Sequence, residues 1–246
     1  MKSKKLSDMR KAVYGIALSA CLALLAVAGL YAYCTKDLPS MDVFRDPARH
    51  AELLESMYHL PSPPPYRIEP CAYEDMPQAL IDAFLVAENL EYFTKPGHDV
   101  YRLAFPTSRL VQGLMVENLH YPRSIFPRIK FFFLCKKFTL CLSKEEILCV
   151  FLNTKYYGGH VYGVGAASSV YLGKDIRELS IADCATLLAL IRYTLETGLP
   201  EIHRLKQSQE HVLGRLLDYG RITPEEYGAA MEQELRLFNY VSRDLE

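Results

Sequence analysis

A chain of 246 residues, half of them hydrophobic, is long enough for about one domain with a sizeable core, which excludes an intrinsically disordered polymer. Its 28 basic and 29 acidic residues nearly cancel, and removing the first 11 residues leaves 23 basic and 28 acidic, a balance that speaks against a nucleic-acid partner. No P-loop, no zinc-type cysteine spacing and no internal repeat is present.

Residues 1–11 form a basic tail, in which Lys2, Lys4, Lys5, Arg10 and Lys11 face Asp8 alone. The uncharged run Ala12–Tyr33 follows, 22 residues that at 1.5 Å each can cross a hydrocarbon layer of about 30 Å. It reads as a single transmembrane helix. The positive-inside rule then keeps the N-terminus in the cytoplasm and places the rest of the chain outside. A cleaved signal peptide is the alternative, because Ala26-Val27-Ala28 fits a small-x-small cleavage site; either way the domain is exported. Residues 34–73 read as a juxtamembrane linker: His59–Pro70 holds five of the 14 prolines and is expected to be stiff and extended.

From residue 74 onward the apolar spacing is helical, with no alternation that marks a sheet. Helices are expected over Pro77–Phe93, Ser108–Asn118, Ile129–Leu142, Lys144–Leu152, Ile181–Leu195, Leu205–Tyr219 and Pro224–Leu237, giving a mostly α domain over residues 74–246. Three of the starts carry a side chain able to cap orphan backbone N–H groups: Ser143 with Glu146, Ser180 with Asp183, and Thr223 with Pro224 and Glu226. In the first of the helices Leu80, Ala83, Phe84 and Ala87 share an apolar face, and Glu88 lies beside it, where burial raises a carboxyl pKa and suits it to general-base work.

Leu119–Ser143 contains no acidic residue, while Arg123, Arg128, Lys130, Lys136 and Lys137 interleave with Phe126, Phe131, Phe132, Phe133 and Phe138. That composition suits a membrane surface, with aromatics at the headgroup boundary and cations on lipid phosphates; a core helix with a charged outer face is the alternative. The seven cysteines have no regular spacing, so Cys135, Cys149 and Cys184 read as small apolar core residues, and a pair outside the membrane stays open. His98, His160 and His203 have no partner at metal-ligand spacing.

The most specific stretch is Ser143–Lys174, SKEEILCVFLNTKYYGGHVYGVGAASSVYLGK, where a capped helix runs into a Tyr/Gly-rich turn whose glycines can take φ > 0 and approach another surface closely. Through Asn153, Gly158 or Gly159, Tyr162-Gly163, Ala166-Ala167, Tyr171 and Gly173-Lys174 it resembles the peptidoglycan glycosyltransferases of bifunctional penicillin-binding proteins and their monofunctional, membrane-anchored relatives. Leu179–Ile191 and His211–Thr223 are similar to two later helices of that family, so the likeness runs from about Pro77 to Ala230. It implies a lysozyme-like helical fold of two lobes, the larger facing the aqueous space and the smaller dipping into the membrane.

The resemblance also implies a reaction: a lipid-linked disaccharide precursor is polymerised into glycan strands at a bacterial plasma membrane, with the leading Glu of the first motif as base. Glu88 holds that place in ENLEYFTKPGHD, and Gly97 and Asp99 match, whereas Asn89, Tyr92 and Lys95 replace the family's Asp, Phe and His. The second motif falls on Thr107–Asn118. One register matches Ser108, Leu110, Gln112 and Leu114; the other, fixed on Asn118, puts Glu117 where a donor-binding Lys belongs. In the third, Arg123-Ser124 fits, Arg128 stands at a Lys position, and Phe131 replaces a second Glu. Arg123 and Arg128 are candidates to clamp a leaving pyrophosphate. Asn153, Tyr157 and Gly159 would shape the groove.

The implied partners are the lipid-linked precursor, the growing strand, the membrane and a cell-wall synthesis complex. A divalent cation, magnesium or manganese, is the one implied cofactor, without an assigned ligand. No S-x-x-K or K-T-G occurs, so the acyl-transfer half of a bifunctional enzyme is not expected. Two other readings stand beside this one: a catalytically impaired relative that binds lipid-linked glycan or scaffolds wall assembly, and a lysozyme-like hydrolase, against which Ser143–Lys174 argues.

Overall fold

The computed structural model describes residues 2–36, 40–58, 67–88, 126–194 and 201–238. In chain order these form α1 (Lys2–Thr35), α2 (Met41–Arg45), α3 (His50–Tyr58), β1 (Arg67–Ile68), α4 (Gln78–Glu88), α5 (Phe126–Cys141), α6 (Lys144–Thr154), β2 (Val161–Tyr162), α7 (Val164–Ala167), α8 (Ile181–Thr194), α9 (Ile202–Asp218) and α10 (Pro224–Glu232), with short 3-10 and π turns between them. The domain is mostly α, as its apolar spacing predicts. Its one sheet element among the described residues is a two-residue parallel pairing, Arg67 with Val161 and Ile68 with Tyr162, too short to leave an alternating pattern in the sequence.

All three capping expectations hold. Ser143 Oγ accepts from the Glu146 N–H at 3.1 Å while Glu146 Oε2 accepts from the Ser143 N–H at 2.7 Å. Thr223 and Glu226 repeat the exchange at 3.2 and 2.8 Å, and Ser180 with Asp183 at 3.1 and 2.9 Å. Each satisfies two N–H groups that a helix start otherwise leaves orphaned.

Several boundaries differ from expectation: α5 starts at Phe126 and α9 at Ile202, each three residues early, and two others move for packing reasons. The last helix stops at Glu232 rather than Leu237; Gln233 leaves helical geometry (φ −64°, ψ 124°), and its side-chain amide donates to Asp183 Oδ1. Leu235 and Leu237 still pack on the core, but from an extended strap whose end is pinned by the Phe238 N–H to the Tyr171 carbonyl at 2.7 Å. Apolar spacing alone does not separate such a strap from another helical turn. The sixth helix runs on to Thr154, because Asn153 and Thr154 are buried and bonded inside the protein.

Two hydrophobic cores result. The larger gathers α4 and α6 to α10, with Phe84, Leu148, Leu152, Leu187, Leu190, Leu205, Leu213 and Leu216 all nearly inaccessible. The smaller is built from α2, α3, α5 and α6 through Phe44, Leu53, Leu134, Phe138, Leu142, Ile147 and Val150, with the Phe44 and Phe138 rings edge to face at 4.8 Å. Helix α6 belongs to both: Ile147 and Val150 face the small core, and Leu148, Phe151 and Leu152 face the large one. All seven cysteines are free thiols; Cys135, Cys149 and Cys184 are buried as expected, and burial pushes each up to about 12, so they pack as neutral groups.

Lys11–Thr35 is a 25-residue stretch of mean hydropathy 2.2, long and apolar enough to cross a membrane, and only near its end, at Cys34 and Thr35, is it buried by the rest of the protein. Its last turn docks on α5: Tyr31 meets Phe133 edge to face at 5.8 Å, and the Lys137 ammonium donates to the Thr35 carbonyl at 3.4 Å. The small core therefore sits where the apolar helix ends.

Candidate functional site

Helix α4 is the element that would carry the base. Leu80, Ile81, Ala83, Phe84, Leu85 and Val86 are buried in the large core, and the Phe84 ring lies 5.2 Å from Phe151. Asp82, nearly buried, accepts from the Gln78 amide at 3.2 Å and pairs with Arg221 at 3.5 Å. These contacts fix the helix axis, and with it the backbone of Glu88 one residue past half-buried Ala87. The apolar face read from the sequence is therefore real. Asp99, Ser108, Gln112 and Arg123 lie outside the described residues. Arg128 stands in the first turn of α5, known by its backbone. Phe131, where the resemblance places a second carboxylate, packs half-buried against the small core.

The Ser143–Lys174 stretch is described throughout, and its glycines approach the protein's own backbone. Gly158, Gly159 and Gly163 have φ of 87°, 55° and 85°, and the non-glycine His160 shares this region at 60°. A Cβ on Gly163 would lie 2.6 Å from the Asn153 carbonyl oxygen, and one on Gly165 would run into the Glu69 carbonyl oxygen. Only glycine lets the turn close against α6 and against the segment after β1. Gly159 is exposed, with Tyr171 Oη 3.0 Å from where its Cβ would be; that hydroxyl donates to the Gly158 carbonyl at 2.8 Å.

Asn153 and Tyr157 are both fully buried. Asn153 Oδ1 accepts from the Cys71 N–H at 3.1 Å, and Nδ2 donates to the Cys71 carbonyl at 2.8 Å, so the amide acts as a short strand partner for the incoming linker. The Tyr157 hydroxyl finds no partner among the described residues, and burial raises its pKa strongly. Both side chains are held inside the protein. His50 and Cys71, which join Asn153 in this cluster, carried no sequence signal, since they lie 103 and 82 residues away from it along the chain.

Between linker and turn lies a polar cavity of about 510 Å³, lined by Glu69, Cys71, Asp75, Ser169, Lys174 and Arg177 among others. Both of its cations are paired. Arg177 Nε donates to Asp75 Oδ1 at 3.0 Å, a hydrogen bond that holds the Asp75 carboxyl below its ordinary pKa, and Lys174 pairs with buried Asp183. Among the described residues no cluster of three His, Cys, Asp or Glu side chains could hold a metal ion. His160 and His203 are exposed, the latter beside Glu201 at 3.1 Å, and His98 lies outside the described residues.

The described residues form a helical domain of two cores, with an apolar N-terminal helix docked on the smaller core and a Gly/Tyr turn closed against α6. The comparisons with known proteins specify it further. The model of the family described as Transglycosylase matches residues 65–217, and the chain belongs to that family. It is 27% identical to penicillin-binding protein 1A of Vibrio cholerae over 85% of this chain and 28% of that protein, and 33% identical to the Aquifex aeolicus one over 66% and 24%. A provisionally named transglycosylase of Cupriavidus necator is 28% identical over 92% of this chain and 94% of its own length. The chain thus spans under a third of the penicillin-binding proteins 1A it matches.

Proposed function

We propose that the chain transfers sugar from a lipid-pyrophosphate-linked disaccharide to a growing peptidoglycan strand, with inversion, on the outer side of a bacterial plasma membrane. The observation that carries this reading is the family match across residues 65–217, which includes α4 and the whole Ser143–Lys174 unit. Glu88 is the base. It takes the proton of the attacking sugar hydroxyl as that oxygen bonds to the anomeric carbon, while the bond from that carbon to the pyrophosphate oxygen breaks and the lipid pyrophosphate leaves with the electron pair. Arg123 and Arg128 would neutralise the leaving group, and Asp99, Ser108 and Gln112 would bind the saccharides. Asn153, Tyr157 and Gly159 hold the wall against which the sugars lie. The cytoplasmic N-terminus and outward domain follow from the five basic residues ahead of the apolar helix. A divalent cation would neutralise pyrophosphate charge; no step is assigned to it.

The test gives the purified full chain in micelles a labelled lipid-linked precursor and follows polymer on a gel. Wild type should extend strands and Glu88→Gln should be slower by about 10²–10⁴-fold, the range for a removed acid–base group. Growth that survives the substitution would remove Glu88 from the base role. One observation favours a second reading: Phe131 fills the small core where a second carboxylate would stand. In that reading the chain binds the precursor and scaffolds a wall-synthesis complex without extending strands, and wild type yields binding with no polymer.

A further inference from the structure

The cluster around Asn153 has a proton arrangement fixed by hydrogen-bond chemistry. Cys71 presents an N–H to Asn153 Oδ1, so the amide cannot be reversed, and Nδ2 must face both the Cys71 carbonyl at 2.8 Å and His50 Nδ1 at 3.0 Å. A carbonyl oxygen only accepts. The Phe44 carbonyl, 3.2 Å from His50 Nε2, therefore requires the ring proton on Nε2 and leaves Nδ1 as a bare acceptor for Asn153. The imidazole is wholly buried.

Three separate segments meet around the Asn153 amide. Phe44 and His50 belong to the α2–α3 hairpin of the small core, Cys71 to the linker that leads into α4, and Asn153 to the end of α6. We propose that His50 is a pH-sensitive latch between the small and large lobes, closed while Nδ1 is unprotonated and released when it takes a proton. Protonation puts an N–H against the Asn153 N–H group, with no acceptor to replace it, and cuts the bond that ties the hairpin to α6 and the linker.

The neighbours do not rescue a charged ring. Burial holds the pKa below the ordinary 6.5, outweighing the Phe44 carbonyl and, in the turn between α2 and α3, the Asp46 carboxylate, both of which favour the cation. From the linker and α6 come the Cys71 and Cys149 thiols, both pushed up to about 12 by burial and so neutral. The charged residues of α6, Lys144, Glu145 and Glu146, stand in its first turn, about two turns from Asn153. On the hairpin, Arg49 pairs with Glu52 at 3.0 Å and Arg45 with Asp42 at 3.4 Å, both on the surface, and Glu55 follows more than a turn beyond His50.

The sign follows from linkage. The folded pKa is depressed, so the unfolded or opened chain binds the proton more readily. The latch is at full strength above about pH 6.5 and weakens as pH falls from there through the folded pKa, the opening equilibrium rising by at most about tenfold per pH unit for one proton.

Hydrogen exchange of the full chain in micelles, corrected for intrinsic rates, tests this at pH 7.0 and 5.5. Protection of residues 41–58 should fall by several-fold up to about tenfold over that unit and a half while α8 and α9 hold theirs, and His50→Gln should remove the pH dependence. Equal loss in both lobes, no loss in the hairpin, or an unchanged pH response in His50→Gln would overturn the latch. If that variant does not fold, histidine side-chain ¹⁵N shifts of the wild-type chain decide. An Nε2–H neutral ring still unprotonated at pH 6 supports it, and a His50 half-protonated at or above 6.5 refutes it. The readout is exchange, so the result is independent of glycosyl transfer.

Discussion

The large and small cores are held together by different means. The large one gathers four sizeable helices, a largely buried π turn and a C-terminal strap, and its buried or half-buried polar groups, Asp183, Thr186, Ser180, Gln209 and Gln233, bond mainly to one another. The small one has about ten side chains and leans outward, on the apolar α1 through Tyr31 and Phe133 and on the large lobe through α6 and the His50–Asn153–Cys71 cluster. The small lobe, with fewer buried side chains and a face leaning on α1, is the one expected to loosen first, since local stability follows buried apolar contact.

The largest test of that contrast is a matched pair of cavity mutations. Phe138→Ala should cost about 3–5 kcal/mol and Leu213→Ala about 2–5 kcal/mol, yet the first should expose only residues 41–58 and 126–142 to exchange, while the second lowers the main thermal transition. A single shared transition for both would show one cooperative unit. Next comes Asn153→Ala, which leaves the Cys71 N–H and His50 Nδ1 without partners and the Cys71 carbonyl with the Cys149 thiol alone, and should cost about 1–3 kcal/mol by denaturant unfolding. Gly165→Ala, whose Cβ meets the Glu69 carbonyl, should cost about 1–3 kcal/mol and displace the linker, seen as faster exchange at residues 67–72. Glu146→Ala breaks one half of a capping box and should cost about 1 kcal/mol. Arg177→Ala, a surface pair with Asp75, should leave the melting temperature unchanged.

Much of this molecule was legible in its sequence, for local reasons. Ser143 and Glu146 are three residues apart, so their mutual cap could be read directly, as could the apolar face of Leu80, Ala83, Phe84 and Ala87 and the uncharged run ahead of the domain. What failed was local pattern without a local cause: Leu235 and Leu237 keep helical spacing but pack from a strap, because Gln233 finds Asp183 fifty residues earlier in the chain. The function of the glycines was visible only in part. Their positive φ was readable from composition, but that they meet Asn153 and Glu69 backbone depends on a long-range fold. His50 shows the limit most clearly, since an isolated histidine in a polar segment becomes the proton-dependent link between lobes solely through partners 82 to 103 residues from one another. Most of the chemistry proposed for the site lies on Asp99, Ser108, Gln112 and Arg123, outside the described residues.

The central claim is that this divergent transglycosylase-family domain still performs transfer with Glu88. Its most direct test is the initial rate of strand growth from labelled lipid-linked precursor by the full chain, measured beside Glu88→Gln at equal precursor binding. The account predicts growth by wild type and a loss of about 10²-fold or more in the variant with binding retained. Binding by both proteins with growth by neither would contradict it.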